Sequence, residues 1–355
     1  MEYRFLGASG LRVSAFALGT MGFGGAATGG WVATIDEHAA REQVRCALDA
    51  GVNLFDTANG YSKGESERLL GLALGPDRDR VLVSTKVHSR VGDGPNDAGQ
   101  SRWHVMRACE DSLRRLGTDR IDIYHVHGFD GCTPVDETLR ALDDLVRAGK
   151  VRYVACSNFA AWQITKTLGV SERLGLERFV ATQSYYSLVA RELENELLPM
   201  CADQGVGVLV WSPLAGGFLS GKFMRDADAP GDTRRGMIGE LGVGHIDVER
   251  GYATLDVARE IAHARGASVA QVALNWLRSR PEVSSVIIGA RTTEQLADNL
   301  AAATWTLSPD EVALLDETSE PVRPYPTWYQ RQFTAERSSR NGAPPGAFSY
   351  RFTTD

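Results

Sequence analysis

The chain has 355 residues, 43% of them hydrophobic, and 38 Lys and Arg against 45 Asp and Glu give a formal net charge of -7. That length and apolar content suffice for a large core, either one α/β barrel or two smaller domains. The acidic balance supplies no footprint for phosphate backbones or anionic membranes, and no apolar run nears the roughly 18 to 20 residues of a spanning helix, so neither nucleic acid nor membrane is expected as a partner.

Glu2, Arg4 and Arg12 stand where a secretory signal would place its apolar region, which points to a cytoplasmic protein. Cys46, Cys109, Cys132, Cys156 and Cys201 are widely spaced with no C-x-x-C pair, so reduced thiols are expected rather than a disulfide framework or a zinc site.

In chain order, YRFLGASGLRVS suggests a hairpin with Gly10 in its turn. Eight short apolar runs follow: 16 to 20, 53 to 57, 81 to 87, 121 to 127, 151 to 157, 179 to 184, 206 to 212 and 284 to 290. Helical periods separate them. The clearest spans 134 to 148, where Val135, Leu139, Leu142, Leu145 and Val146 recur at helical spacing behind a Thr133 cap and Pro134, and Gly149 stops it. Near-continuously apolar strands alternating with helices imply a parallel sheet covered by helices, and eight such units fit a closed (β/α)8 TIM barrel better than an open sheet. The expectation is a single α/β barrel domain over 1 to 355, with its core at about 3 to 318, a long Gly-rich loop at 213 to 250 after the seventh strand and a C-terminal extension at 319 to 355. Pro321, Pro324, Pro326, Pro344 and Pro345 argue against a folded helix in that extension.

Barrel enzymes build their sites at the carboxyl ends of the strands. Asp56 ends the second run, Lys86 the third, His127 the fourth and Gln183 the sixth; Ser157 and Asn158 follow the fifth, and Trp211 with Ser212 closes the seventh. Tyr61 stands five residues past Asp56. A buried lysine is costly unless a carboxylate pairs with it, and a tyrosine hydroxyl set against its ammonium has its phenolate form stabilised. General acid chemistry is the expected result: Tyr61 protonates a carbonyl oxygen, Lys86 tunes it, Asp56 pairs with Lys86, and His127 orients the same oxygen. Taken singly, Asp56 is a cap, Lys86 a solvated strand end, His127 a core histidine and Tyr61 a loop aromatic. Their arrival at successive strand ends favours the catalytic alternative.

LFDTANGYSKGESE resembles the aldo-keto reductase signature D-T-A-x-x-Y-x-x-G-x-S-E, VSTKV resembles the strand of the family's lysine, and DSLRRLGTDRIDIYHVH is similar to its S-L-x-R-L-x-x-D-x-I-D-L-Y-x-x-H block. The resemblance points to the branch related to potassium channel beta subunits. It implies a (β/α)8 barrel, NADPH bound without a Rossmann domain, and reduction of an aldehyde or ketone to an alcohol, with the family's four catalytic residues falling on Asp56, Tyr61, Lys86 and His127. It puts nicotinamide contacts on Ser157, Asn158 and Gln183, the stacking aromatic on Trp211, and the pyrophosphate loop on Ser212, Pro213, Leu214, Gly216, Leu219 and Lys222. Gly19, Thr20, Met21 and Asp56 complete the cofactor side at the early strand ends. GARTTEQLADNL is similar to the adenosine-phosphate segment and brings in Gly289, Arg291, Gln295, Asp298 and Asn299; the planar Arg291 fork suits a 2′-phosphate, hence NADPH/NADP⁺ over NADH. Asp298 departs from the glutamate of some members.

GFGGAATGG approaches a dinucleotide fingerprint, but the next helix starts only near Asp36, so no helix N-terminus follows the glycines. His125 shares parity with His127 and is expected deeper; two histidines without a third ligand do not make a zinc site, and no metal is expected. Substrate choice is expected from the loops, with Trp31, His88, Phe129 and Trp328 as pocket residues and Tyr325, Trp328, Tyr329 and Phe333 either covering the mouth or packing on the outer wall. A small-molecule carbonyl, apolar or cyclic, is the expected partner, with a sugar-nucleotide ketone as second choice. Self-association is left open. The same resemblance supplies a rival class: an NADPH-binding regulatory subunit with little turnover.

Overall fold

The computed structural model describes residues 1–24, 34–225 and 246–333. Trp31, much of the 213 to 250 loop and the tail beyond 333 lie outside the described residues.

Two short strands, β1 (Tyr3–Phe5) and β2 (Arg12–Ser14), pair antiparallel around the Gly10 turn. Eight parallel strands then close a barrel in the order β10-β3-β4-β5-β6-β7-β8-β9. They are β3 (Phe16–Gly19), β4 (Leu54–Asp56), β5 (Leu82–Val87), β6 (Ile121–Val126), β7 (Val151–Ser157), β8 (Ala181–Tyr185), β9 (Gly207–Trp211) and β10 (Val283–Ile288). These are the eight apolar runs. Each is apolar on both faces because one face fills the barrel and the other meets helices. In β6, Ile123 packs inside the barrel while its neighbour Tyr124 packs outward under the helices.

The barrel interior has a floor. Leu6 and Val13 from the hairpin join Ala17, Leu54, Ile123, Ala155, Ala181, Leu209 and Ile287 in one buried cluster inside the barrel. Gly7 holds φ 57, and a Cβ there would stand 2.5 Å from the Gly205 carbonyl oxygen, so the hairpin sits tight against the wall only because this position is glycine.

Two expectations are corrected. The helix Val135–Arg147 has Pro134, not Thr133, at its N-cap and takes no side-chain cap bond. The Thr133 hydroxyl instead donates to Asp130 Oδ2 (2.7 Å), which organises the preceding turn. In the tail, residues 327–333 are helical despite the prolines. Pro326 falls just before the helical residues, where a missing N–H costs nothing, and its carbonyl accepts from the Gln330 N–H (2.9 Å). Ion pairs hold the chain around it: Arg323 pairs with Glu194, in the loop after β8 (3.1 Å), and with Glu320 (2.7 Å), and Arg331 pairs with Glu320 (3.3 Å).

Candidate active site

The carboxyl ends of β4, β5 and β6 bring Asp56, Lys86 and His127 side by side, since each strand is hydrogen-bonded to the next. Lys86 is wholly buried and its Nζ donates three times: to Asp56 Oδ2 (2.6 Å), to the Thr57 carbonyl (2.6 Å) and, at 3.4 Å, to the Tyr61 hydroxyl. An ammonium has three donors, so its capacity is used in full. Asp56 is fixed in turn, because its Oδ1 accepts from Ser84 Oγ (2.8 Å) and Gln183 Nε2 (2.9 Å). Burial opposes the charge on Lys86, yet the Asp56 carboxylate and the Tyr61 hydroxyl outweigh it and hold the ammonium above the ordinary lysine range.

Tyr61 opens a single turn of 3₁₀ helix, Tyr61–Gly64, in which Ser62, Lys63 and Gly64 all have positive φ. Ser62 Oγ donates to the Phe23 carbonyl (2.8 Å) and anchors that turn. The Tyr61 ring meets His127 edge-on at 5.7 Å. His127 lies just past β6, its backbone N–H still bonded to the Val87 carbonyl (2.8 Å). Burial, then the Lys86 charge, pushes His127 down to about 3, so the ring is neutral. Its Nδ1 is buried without a partner among the described residues. A hydrogen on Nδ1 would be an unsatisfied buried donor costing about 1–3 kcal/mol, which assigns the hydrogen to Nε2. His125 is fully buried, as expected, with Nδ1 3.3 Å from the Cys156 carbonyl and its value pushed by burial down to about 4.

The next stretch of rim is braced by Asn158, which adopts φ 58. Its Nδ2 donates to the His127 carbonyl (2.9 Å) and its Oδ1 accepts from Trp211 Nε1 (3.0 Å). Ser157 Oγ donates to the Gln183 carbonyl (2.8 Å), so these residues form one connected arc. Trp211 stacks on Tyr185 at 4.9 Å. Beyond it, Ser212, Ala215, Gly216, Gly217 and Gly221 have positive φ, and the Gly216 N–H donates to Ser212 Oγ (3.2 Å). The N–H groups of Ala215, Gly217 and Leu219 are bonded within these turns, to the carbonyls of Ser212 and Leu214 (2.9, 3.0 and 3.1 Å), which fixes the shape of the loop.

The remaining expected positions divide. Arg291 is exposed at the start of the helix Thr293–Ala301, which Thr292 caps, and its N–H is bonded to Gln295 Oε1 (3.1 Å). Asn299 is buried on that helix. Asp298 accepts from Ser268 Oγ (2.7 Å) and Gln271 Nε2 (2.7 Å), so its carboxylate braces the neighbouring helix Val269–Arg278. Phe129 packs on Phe159 (5.3 Å) and Trp162 (6.0 Å). Trp328 contacts Tyr325 and Tyr329 in the exposed tail cluster. Ser84, Gln100 and Tyr185 were not singled out from sequence; a polar residue inside the apolar run VLVSTKV was the available signal for Ser84. Among the described residues there is no cluster of three or more metal-ligating side chains and no helix long and apolar enough to cross a membrane.

A barrel whose rim gathers aspartate, tyrosine, lysine and histidine in this way defines the class, and comparison with known proteins agrees. The sequence model of the Aldo/keto reductase family matches residues 17–320, and the chain belongs to that family. It is 35% identical to the versiconal hemiacetal acetate reductase of Aspergillus parasiticus over 92% of this chain and 99% of that protein. It is 38% identical to the uncharacterized oxidoreductase YrpG of Bacillus subtilis over 89% of this chain and 95% of that protein. A probable voltage-gated potassium channel subunit beta of Arabidopsis thaliana is 37% identical over 85% of this chain and 91% of that protein.

Proposed function

We propose that this chain is an NADPH-dependent oxidoreductase that reduces an aldehyde or ketone to an alcohol. The observation that carries the proposal is the buried ammonium of Lys86, 2.6 Å from Asp56 and 3.4 Å from the Tyr61 oxygen. With Lys86 donating to it, the Tyr61 hydroxyl directs its own hydrogen to a substrate carbonyl oxygen, and the adjacent positive charge stabilises the phenolate left behind. Neutral His127 offers a second hydrogen to the same oxygen and so fixes its position. Asp56 keeps Lys86 charged inside the barrel.

The residues present fit a nicotinamide dinucleotide. Ser157, Asn158 and Gln183 would hold the carboxamide, Trp211 would stack on the ring, and the left-handed turns from Ser212 to Gly221 would meet the phosphates with Lys222, Arg291 taking a 2′-phosphate. When bound, the cofactor supplies the hydride. Its substrate is taken to be a small carbonyl compound and its setting the cytoplasm, in keeping with five free cysteines.

A steady-state assay with NADPH and a reactive aromatic aldehyde tests this. Turnover is expected, and Tyr61→Phe should lower kcat by about 10²–10⁴-fold while leaving the cofactor Kd unchanged. The similarity to a channel beta subunit motivates a second reading, a regulatory subunit that binds NADPH. Tight cofactor binding with negligible turnover in the parent protein would favour it.

A further inference from the structure

After Tyr61 the chain passes from its 3₁₀ turn straight into the helix Glu65–Leu74, whose first turn carries two wholly buried polar side chains, Ser66 and Glu67. Neither takes part in the chemistry proposed above. No side chain caps this helix, and Glu67, at the position from which a glutamate commonly bonds back to the N-cap, turns inward instead. Its Oε1 accepts from Thr85 Oγ1 (2.5 Å) and its Oε2 from Arg115 Nε (2.6 Å). Arg115 lies against Gly64, where a Cβ would stand 2.6 Å from the arginine Cδ, so only glycine lets the turn close down on that side chain.

Ser66 reaches the other way. Its hydroxyl donates to the Thr20 carbonyl (2.7 Å), an acceptor only, which takes its one hydrogen; the Ser66 oxygen then accepts from Thr57 Oγ1 (2.9 Å). These contacts converge on Lys86. Thr57 is the residue whose carbonyl accepts a Lys86 hydrogen (2.6 Å), and Thr85 precedes Lys86 in β5. One helical turn thus grips both flanks of the buried ammonium, Thr57 through Ser66 and Thr85 through Glu67, and the residues just before it carry the phenol. The Tyr61 hydroxyl lies 3.4 Å from Lys86 Nζ, at the outer edge of hydrogen-bond reach, so a small displacement of the turn breaks that bond.

We propose that Ser66 and Glu67 are positioning residues: they fix the start of this helix to the strand ends that hold Lys86 and so set the distance from the ammonium to the Tyr61 hydroxyl. The turnover they support rests on the carbonyl-reductase reading. Both act through their neighbours, since buried side chains committed to these bonds do not reach a substrate.

Thr85→Val, close in size and equally β-branched, removes the Glu67 contact without touching the rim groups, and Ser66→Ala removes the other anchor. With the ammonium farther away the phenolate is less stabilised, so Tyr61 keeps its hydrogen to higher pH. Around the phenol, Lys86 is the adjoining cation, Asp56 is paired to it, and neutral His127 meets the ring edge-on, so the titration reads the Lys86 separation. With NADPH and a reactive aromatic aldehyde, each variant should lose roughly tenfold in kcat with KM within about twofold, and the alkaline limb of its kcat profile should move up by about one pH unit, the worth of one hydrogen bond. A variant that only folds less well would lose turnover with the limb in place. Thr85→Ser, which keeps the hydroxyl, should restore parent behaviour. A second readout needs no turnover: in protein labelled with ¹³C at the tyrosine ζ carbon, the Tyr61 resonance, assigned by its loss in Tyr61→Phe, should titrate about one pH unit higher in Thr85→Val and Ser66→Ala than in the parent. Unmoved titrations in both variants would overturn the proposal, whether or not kcat falls, as would Thr85→Ser behaving like Thr85→Val. Should Thr85→Val not fold, Ser66→Ala decides; failure of both to fold would also overturn it, since their role would then be structural. Absence of turnover on every carbonyl, with the titrations moving as expected, would count against the reductase reading alone.

Discussion

Asp56 with Lys86 at the rim, and Glu194 with Arg191 on the outer wall, each bury a carboxylate against a cation. On the wall, Glu194 accepts from Tyr186 Oη (2.7 Å), from Arg191 Nε (2.7 Å) and Nη2 (3.0 Å), and from Arg323 Nη2 (3.1 Å). Arg191 Nη1 donates to the Asp316 carbonyl (2.9 Å) and Ser319 Oγ (2.8 Å), and its guanidinium lies over Trp276. All of these bonds run inward, tying the loop after β8 to the helix Pro309–Thr318 and the tail. At the rim the third donor of Lys86 runs outward, to a half-buried phenol. Under the proposed function, buried charge becomes chemistry where one hydrogen bond of the cluster ends on a group placed to meet a substrate. Where every bond closes internally, it serves as architecture.

Substitutions that break this comparison should separate the two clusters. The largest effect is expected from Asp56→Ala, which leaves a fully buried ammonium short of its counter-charge: a loss of about 3–5 kcal/mol in urea unfolding, with turnover falling at least about 10²-fold. Glu194→Ala should cost about 3 kcal/mol by the same measurement, because Arg191 and Arg323 lose a shared acceptor, yet kcat of the folded protein should stay at the parent level. A fall in kcat matching that of Asp56→Ala would erase the distinction. A third effect is the one that pH exerts. His125 and His127 are held at about 4 and about 3 in the folded chain, against about 6.5 when unfolded. Between those values the unfolded chain binds more protons, so stability is full above about pH 6.5 and declines as pH falls toward 4. The urea midpoint should drop from pH 7 to pH 5, and His125→Asn should flatten the drop; an unchanged midpoint would show that these rings do not titrate on unfolding.

Much of the rim cluster was legible in the sequence and almost none of the wall cluster was. Asp56, Lys86 and His127 stand at the ends of apolar runs, and strand ends in a barrel are neighbours by construction, so local pattern fixes long-range proximity. Glu194 and Arg323 are joined across 129 positions by loop and tail, with no periodicity to bring them together. The helical turn at 327–333 was hidden because proline counts against a helix interior but not its start. His88, just past β5, carried no mark of its φ 135: the Gly99 N–H bonded to its carbonyl (2.9 Å) and Gln100 Nε2, 3.3 Å from its ring Nδ1, hold a conformation that histidine does not prefer. Asp298 looked available from its place in the motif; Ser268 and Gln271, some thirty residues earlier, take up both its oxygens.

The hairpin that carries Leu6 and Val13 leaves the barrel a cup rather than a tube. Traffic through a cup uses one doorway. Under the proposed chemistry both reactants enter past β4 to β9, the one lying deeper has to come first and depart last, and a fusion partner attached ahead of residue 1 would hang beneath the cup, clear of that queue.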